Sequence, residues 1–224
     1  AEMFTGIARE AIAERGRFDV ALSGGSTPRM TYEMLASEEY SSRVDWPLVH
    51  FFWSDERCVA PDNEQSNYLL AAEAMLNHLP IEPEQIHRMH GEDESAQAAA
   101  AYEAELRTHF GSDEPRFDLI YLGMGDDGHT ASLFPGSPAV DDLDHLVSAP
   151  FVEKFQTHRL TMTLLTINAA AQVIFLTAGA AKTNVLREVL RDGDSGAAPL
   201  PARLVRPANG DLLWLVDEAA AAKL

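Results

Sequence analysis

The sequence predicts an α/β fold, a mostly parallel sheet with helices on both faces, on three observations. Short apolar runs alternate with stretches of helical period; most of those runs are continuously apolar, as strands buried on both sides are; and glycine- or serine-rich bends follow several of them. Residues Glu2 to Glu14 read as a helix with no strand before it, where a doubly wound unit commonly begins with one, so a shortened amino terminus is expected. Phe18–Leu22 then precedes the helical Met30–Ala36, and Leu48–Trp53 precedes Asn67–Leu76. Ala98–Phe110 leads into Phe117–Leu122, Gln172–Thr177 into Lys182–Leu190, and Leu212–Val216 into Glu218–Ala222. Arg159–Thr163 alternates with period two and adds a further strand. Pro135–Pro138 and Asp192–Pro201 are loops, neither long enough for a domain linker.

At 224 residues, 46% apolar and 23% charged, the chain has the composition of a folded globular protein, and residues 1–224 are expected to form one domain. It contains no apolar run of the ~18 residues that a membrane span needs and no basic-then-apolar leader, so a cytoplasmic location is expected. The single Cys58 has no internal disulfide partner and no neighbouring histidine to activate it as a nucleophile. A formal charge of −18, from 35 acids against 17 bases, excludes nucleic acid and an anionic membrane surface as partners. An anionic ligand would need a local cationic cluster, which makes the three lysines, Lys154, Lys182 and Lys223, informative. A monomer or weak homo-oligomer is expected.

Three segments carry chemistry. Ser23-Gly24-Gly25-Ser26-Thr27-Pro28 runs from a strand into a helix, where backbone N–H groups and hydroxyls converge on an anion. It lacks the Gly-Lys-Ser/Thr ending of a Walker loop, and a capped turn is its plain alternative. Asp55-Glu56-Arg57 ends the next strand, either as part of a site or as a surface ion-pair cluster; for Ser66-Asn67, helix capping is a sufficient account. The third segment, Tyr121 to Gly136, joins an apolar strand end to a glycine-rich bend carrying His129. Its glycines permit positive dihedrals and close approach to a ligand. His129 lacks metal-type partners at helical or Cys-x-x-Cys spacing, and the His87/His90 pair lies elsewhere, so no metal is expected. The functional reading is a general base with Asp127 as its orienter; the alternative is a histidine merely hydrogen-bonded in a turn. Arg159 and Lys182, each near a strand end, are candidate anion ligands or solvated charges.

Taken in order and spacing, these motifs resemble the 6-phosphogluconolactonase family, which is related to the glucosamine-6-phosphate deaminases. The resemblance adds Ile167-Asn168, Gly179 with Lys182, Leu200-Pro201-Ala202-Arg203 and Leu212 through Asp217, and so covers nearly the whole chain. It implies a modified Rossmann-like sheet and hydrolysis of 6-phospho-D-glucono-1,5-lactone, a phosphorylated sugar lactone, to 6-phosphogluconate in the oxidative pentose phosphate pathway, with no cofactor. Carried over residue by residue, it makes His129 the base and Ser23, Gly24, Gly25, Ser26 and Thr27 the phosphate loop. Arg159 and Lys182 become its cationic partners, and Arg57 faces the substrate near the lactone. Ala60, where the family usually has proline, and Lys154–His158, which lacks a frequent proline pair, depart from the pattern.

Two other functions fit the same motifs. A phosphosugar deaminase-isomerase needs carboxylates to move protons between carbons, and in that branch a Glu typically precedes the proline where Phe134 stands here; Asp55 remains as a candidate base. A phosphosugar sensor would bind without turnover.

Overall fold

In the computed structural model, which describes residues 1–191 and 199–224, helix α1 (Glu2–Arg15) closes at Gly16. Gly16 adopts φ 78° and donates its N–H to the Ile12 carbonyl, a left-handed cap that turns the chain into β1 (Phe18–Leu22). Then come α2 (Ser26–Leu35), the single turn α3 (Glu38–Ser41), β2 (Val49–Trp53), β3 (Asp55–Arg57), α4 (Asn67–Ala74) and α5 (Ser95–Phe110). After β4 (Leu119–Leu122) follow β5 (Val147–Ser148), β6 (Phe151–Val152), β7 (Thr157–Met162), the short α6 (Leu164–Ile167) and β8 (Gln172–Thr177). The chain ends with α7 (Thr183–Leu190), the short α8 (Pro201–Leu204) and β9 (Asp211–Val216).

Five strands form one parallel sheet in the order β2-β1-β4-β8-β9. The two-residue period divides its side chains between two cores. Ala21, Phe52, Ile120, Leu122, Val173 and Phe175 pack with Tyr102 and Leu106 of α5 and Leu186 of α7. Val20, Phe51, Trp53, Leu119, Tyr121 and Ile174 pack with Phe4 of α1, Tyr32 and Leu35 of α2 and Ala71 of α4. Both faces of β1, β2, β4 and β8 are therefore covered, which is why their central residues read as apolar runs, while the edge strand β9 stays partly exposed.

The structure departs from the sequence expectation in places that matter for the site. Asp55-Glu56-Arg57 does not extend β2: the chain changes sheets at Ser54, whose N–H still bonds the Leu22 carbonyl of β1 at 2.8 Å while its carbonyl accepts the Met162 N–H of β7 at 2.8 Å, and β3 joins an antiparallel sheet β3-β7-β5. The expected strand at Arg159–Thr163 is β7, begun two residues earlier, and it belongs to this second sheet. Glu218–Ala222 is a series of turns, not a helix. Asp217 draws that segment down, its carboxylate accepting the Ala220 N–H at 2.7 Å and the Gly179 N–H at 3.0 Å. Of the loop expected at Asp192–Pro201, residues 192–198 lie outside the described residues, and Pro201 opens α8. Among the described residues no helix is long and apolar enough to cross a membrane.

Candidate active site

The carboxyl ends of β1, β2 and β4 open onto a cleft of about 540 Å³, and loops from the antiparallel sheet wall its other side. This is where open parallel sheets hold ligands, because the loops diverge there and helix amino termini point inward. Ser23, Gly24, Gly25, Asp55, Arg57, His129, Arg159 and Lys182 all line it. Ser26 and Thr27, in the first turn of α2, do not line it, and neither does Asp127, which bonds His129.

The loop after β1 is pinned from below. The buried Tyr32 hydroxyl donates to the Ser23 carbonyl at 2.8 Å and accepts the Ser23 N–H at 3.0 Å. Gly25 adopts φ 108° immediately before α2, a conformation favouring glycine, and so turns the first amides of that helix towards the cleft. The Ser23 Oγ is buried and has no hydrogen-bond partner among the described residues, as suits a group whose partner is a ligand. Gly24 lies against Asn67: a Cβ there would stand 1.8 Å from Asn67 Oδ1.

Asp55 and Glu56, adjacent in sequence, do different work. Glu56 is buried, and its carboxylate accepts the N–H groups of Arg57, Asn67 and Tyr68 and the Ser66 hydroxyl at 2.7–3.0 Å. It caps α4 and ties β3 to it; burial nonetheless pushes its pKa up. Asp55 accepts the Ser132 hydroxyl at 2.7 Å and the Asn67 amide at 3.2 Å, which locks the His129 loop and α4 to β3.

His129 sits in the bend after β4. Its Nδ1 and backbone N–H both bond Asp127 Oδ1, and its ring stacks on Phe134 with centroids 4.2 Å apart. Burial raises the Asp127 pKa, but hydrogen bonds from His129 and from Lys154 Nζ at 3.0 Å outweigh it and hold the carboxyl at about 2. Asp127 is thus ionised at neutral pH and can only accept. The proton of the shared bond therefore belongs to Nδ1, and Nε2 carries the imidazole's lone pair. Gly125 makes this placement possible: a Cβ on it would stand 2.1 Å from His129 Nδ1 and 2.6 Å from Asp127 Oδ1.

Opposite this pair lies unbalanced positive charge. Arg57 of β3 and Arg159 of β7 are directly paired across the antiparallel ladder, a like-charge placement that is destabilising by itself. Burial, and the Arg57 guanidinium beside it, push the Arg159 pKa down. Neither arginine, nor Lys182 at the head of α7, forms an ion pair with another described residue; among the described residues the Arg57 guanidinium donates only to the Gln65 carbonyl. In a chain with 35 acids, three such cations line one cleft together with Ser23 and Gly25, an arrangement that can attract an anion.

The profile of the family described as glucosamine-6-phosphate isomerases/6-phosphogluconolactonase matches residues 1–214. The chain belongs to this family. A 6-phosphogluconolactonase from Nostoc sp. is 44% identical over 96% of the chain and 88% of that relative. One from Synechocystis sp. is 42% identical over the same shares of the two chains. The solved structure of 6-phosphogluconolactonase from Trypanosoma brucei superposes with a TM-score of 0.88 at 31% identity, covering all of this chain and 92% of that one. Against the expectation drawn from the family's motifs, the cleft gains Asn67, Ser132 and Lys154. Capping was a sufficient account of Ser66-Asn67, but only Ser66 Oγ caps, accepting the Leu69 N–H, which leaves the Asn67 side chain for Asp55. The scarcity of lysine was the available signal for Lys154.

Proposed function

We propose that this chain hydrolyses 6-phospho-D-glucono-1,5-lactone to 6-phospho-D-gluconate, with His129 as the general base. The observation that carries this reading is the pairing of His129 with an ionised Asp127 across a cleft from Arg57, Arg159 and Lys182. The phosphate rests on the Ser23–Gly25 loop and the first amides of α2, with Arg159 and Lys182 neutralising it, while Arg57 lies towards the lactone. His129 Nε2 takes a proton from a water molecule, and the water oxygen bonds to the lactone carbonyl carbon. The tetrahedral intermediate then expels the ring oxygen, which receives the proton back from Nε2. A δ-lactone is an activated ester, so base catalysis in a fixed geometry suffices without a covalent nucleophile.

Phe134 favours hydrolysis over deamination and isomerisation. It places an apolar ring against His129 where the deaminase branch typically has a carboxylate, and Asp55 is already held by Ser132 and Asn67. Two assays test the proposal: acid release from freshly generated lactone, and ammonia release from glucosamine 6-phosphate. Turnover in the first alone is expected; turnover only in the second, or in neither, would overturn the reading. In the first assay Arg159→Ala and Lys182→Ala should each raise KM by about 10–100-fold, the worth of a lost charged hydrogen bond, with a smaller effect on kcat.

A further inference from the structure

We propose that His50, His87 and His109 form a binding site for one borderline divalent transition-metal ion, zinc being the reference case, outside the catalytic cleft. The three come from β2, from the segment following the 3-10 turn at Pro83–Gln85, and from the last turn of α5. One ring nitrogen from each lies within 4.8 Å of those of the other two. His50 is the second residue of β2, whereas the catalytic cleft opens beyond the far end of that strand, and none of the three histidines lines it.

The geometry is close to what an ion requires. Nitrogens on a tetrahedral zinc, at about 2.0–2.1 Å from the metal, stand about 3.4 Å from one another. His50 Nδ1 and His87 Nε2 are 3.1 Å apart. The outer partners match those of metal-bound imidazoles: His87 Nδ1 bonds Glu105 Oε1 at 2.7 Å and His109 Nε2 bonds Asp19 Oδ1 at 2.7 Å. Since Glu105 holds a proton on His87 Nδ1, His87 Nε2 is the acceptor and His50 Nδ1 the donor in the bond between them. An ion takes that proton's place once the His50 proton moves to Nε2, so no net charge need be expelled. Two carboxylates, Asp19 and Glu105, face the cluster against one cation, Arg17, whose Nε lies 2.8 Å from Asp19 Oδ2.

The rings are also held. Phe52 stacks on His87 with centroids 4.3 Å apart and 6° between planes, and meets His109 edge-on at 5.0 Å. The His87 and His109 side chains are 13% and 11% exposed, shielded yet reachable from solvent. Three imidazoles favour zinc, cobalt, nickel or copper over magnesium or calcium, and they leave a fourth position for water. An ion here would tie β2, the segment at His87 and the end of α5 together, so its effect falls on stability and not on the lactone reaction.

The test begins with chelator-stripped protein titrated with zinc and, for a visible ligand-field spectrum, cobalt(II). The expected result is one ion per chain with Kd of about 10⁻⁶ M or below and a raised Tm. His87→Gln and His109→Gln should each weaken binding at least about ten-fold, whereas His90→Gln and His129→Gln should leave it in place. Absence of stoichiometric binding to the unmodified chain, or binding that survives both cluster substitutions, would overturn the proposal. Should those variants fail to fold, anomalous scattering at the zinc edge from crystals of the unmodified protein decides. A peak among the three imidazoles supports the site, and a peak only elsewhere refutes it.

Discussion

Exchanging His129 for glutamine is expected to lower kcat for lactone hydrolysis by about 10²–10⁴-fold, the range ascribed to a positioned general base. Glutamine keeps a polar side chain in the bend and can still donate to Asp127, but it has no basic nitrogen to take a proton from water. The phosphate loop, Arg159 and Lys182 are untouched, so inhibition by the product, 6-phosphogluconate, should change little. This separation of rate from binding distinguishes a base from a binding group. A histidine that merely filled a turn would show a fall in Tm with kcat preserved, and a histidine that held the phosphate would show a rise in KM.

A second large effect is expected at a residue with no functional group. Gly125 does not have a positive φ, so alanine is compatible with its backbone. The obstruction is local: the new methyl would stand 2.1 Å from His129 Nδ1, 2.2 Å from His129 Cε1 and 2.6 Å from Asp127 Oδ1. Contacts that short force the imidazole and the carboxylate to move. A displacement of about 1 Å at a reacting group can cost about 10²-fold in rate, and that is the fall in kcat expected for Gly125→Ala. Because the substitution acts through His129, combining it with His129→Gln should add almost nothing to the loss from His129→Gln alone. Multiplying losses in the double variant would show that Gly125 matters for some other reason, such as access to the cleft.

The sequence made some of this legible and hid the rest for physical reasons. Parallel strands of the sheet interior were visible because burial on both faces leaves continuous apolar runs such as Val20-Ala21-Leu22 and Ile174-Phe175-Leu176. His129 and Asp127 could be paired because only Gly128 separates them within one bend. The small antiparallel sheet was hidden because β3 and β5 are only three and two residues long, too short for a period-two signal to emerge. Glu218–Ala222 read as a helix from its alanines, yet so short a segment has little intrahelical support, and the carboxylate of Asp217 organises turns instead. Lys154 reaches Asp127 from 27 positions away, and Ser132 reaches Asp55 from 77, distances over which local pattern carries no information. For the same reason no metal was expected and His87 was grouped only with His90, since His50 and His109 meet it only in the folded chain.

The central claim, that His129 acts as a base oriented by Asp127, is tested most directly by the pH dependence of kcat/KM, corrected for spontaneous lactone opening, in the unmodified chain and in His129→Gln. The sign follows from the chemistry: an imidazole that must accept a proton is inactive once protonated, so the rate falls as pH is lowered. Asp127, held at about 2, remains ionised through this range and adds no limb of its own above about pH 3. The expected result is a single-proton acid limb in the unmodified chain and a flat, much lower profile in the variant. An acid limb of the same position and steepness in both proteins would contradict the assignment and place the base elsewhere in the cleft.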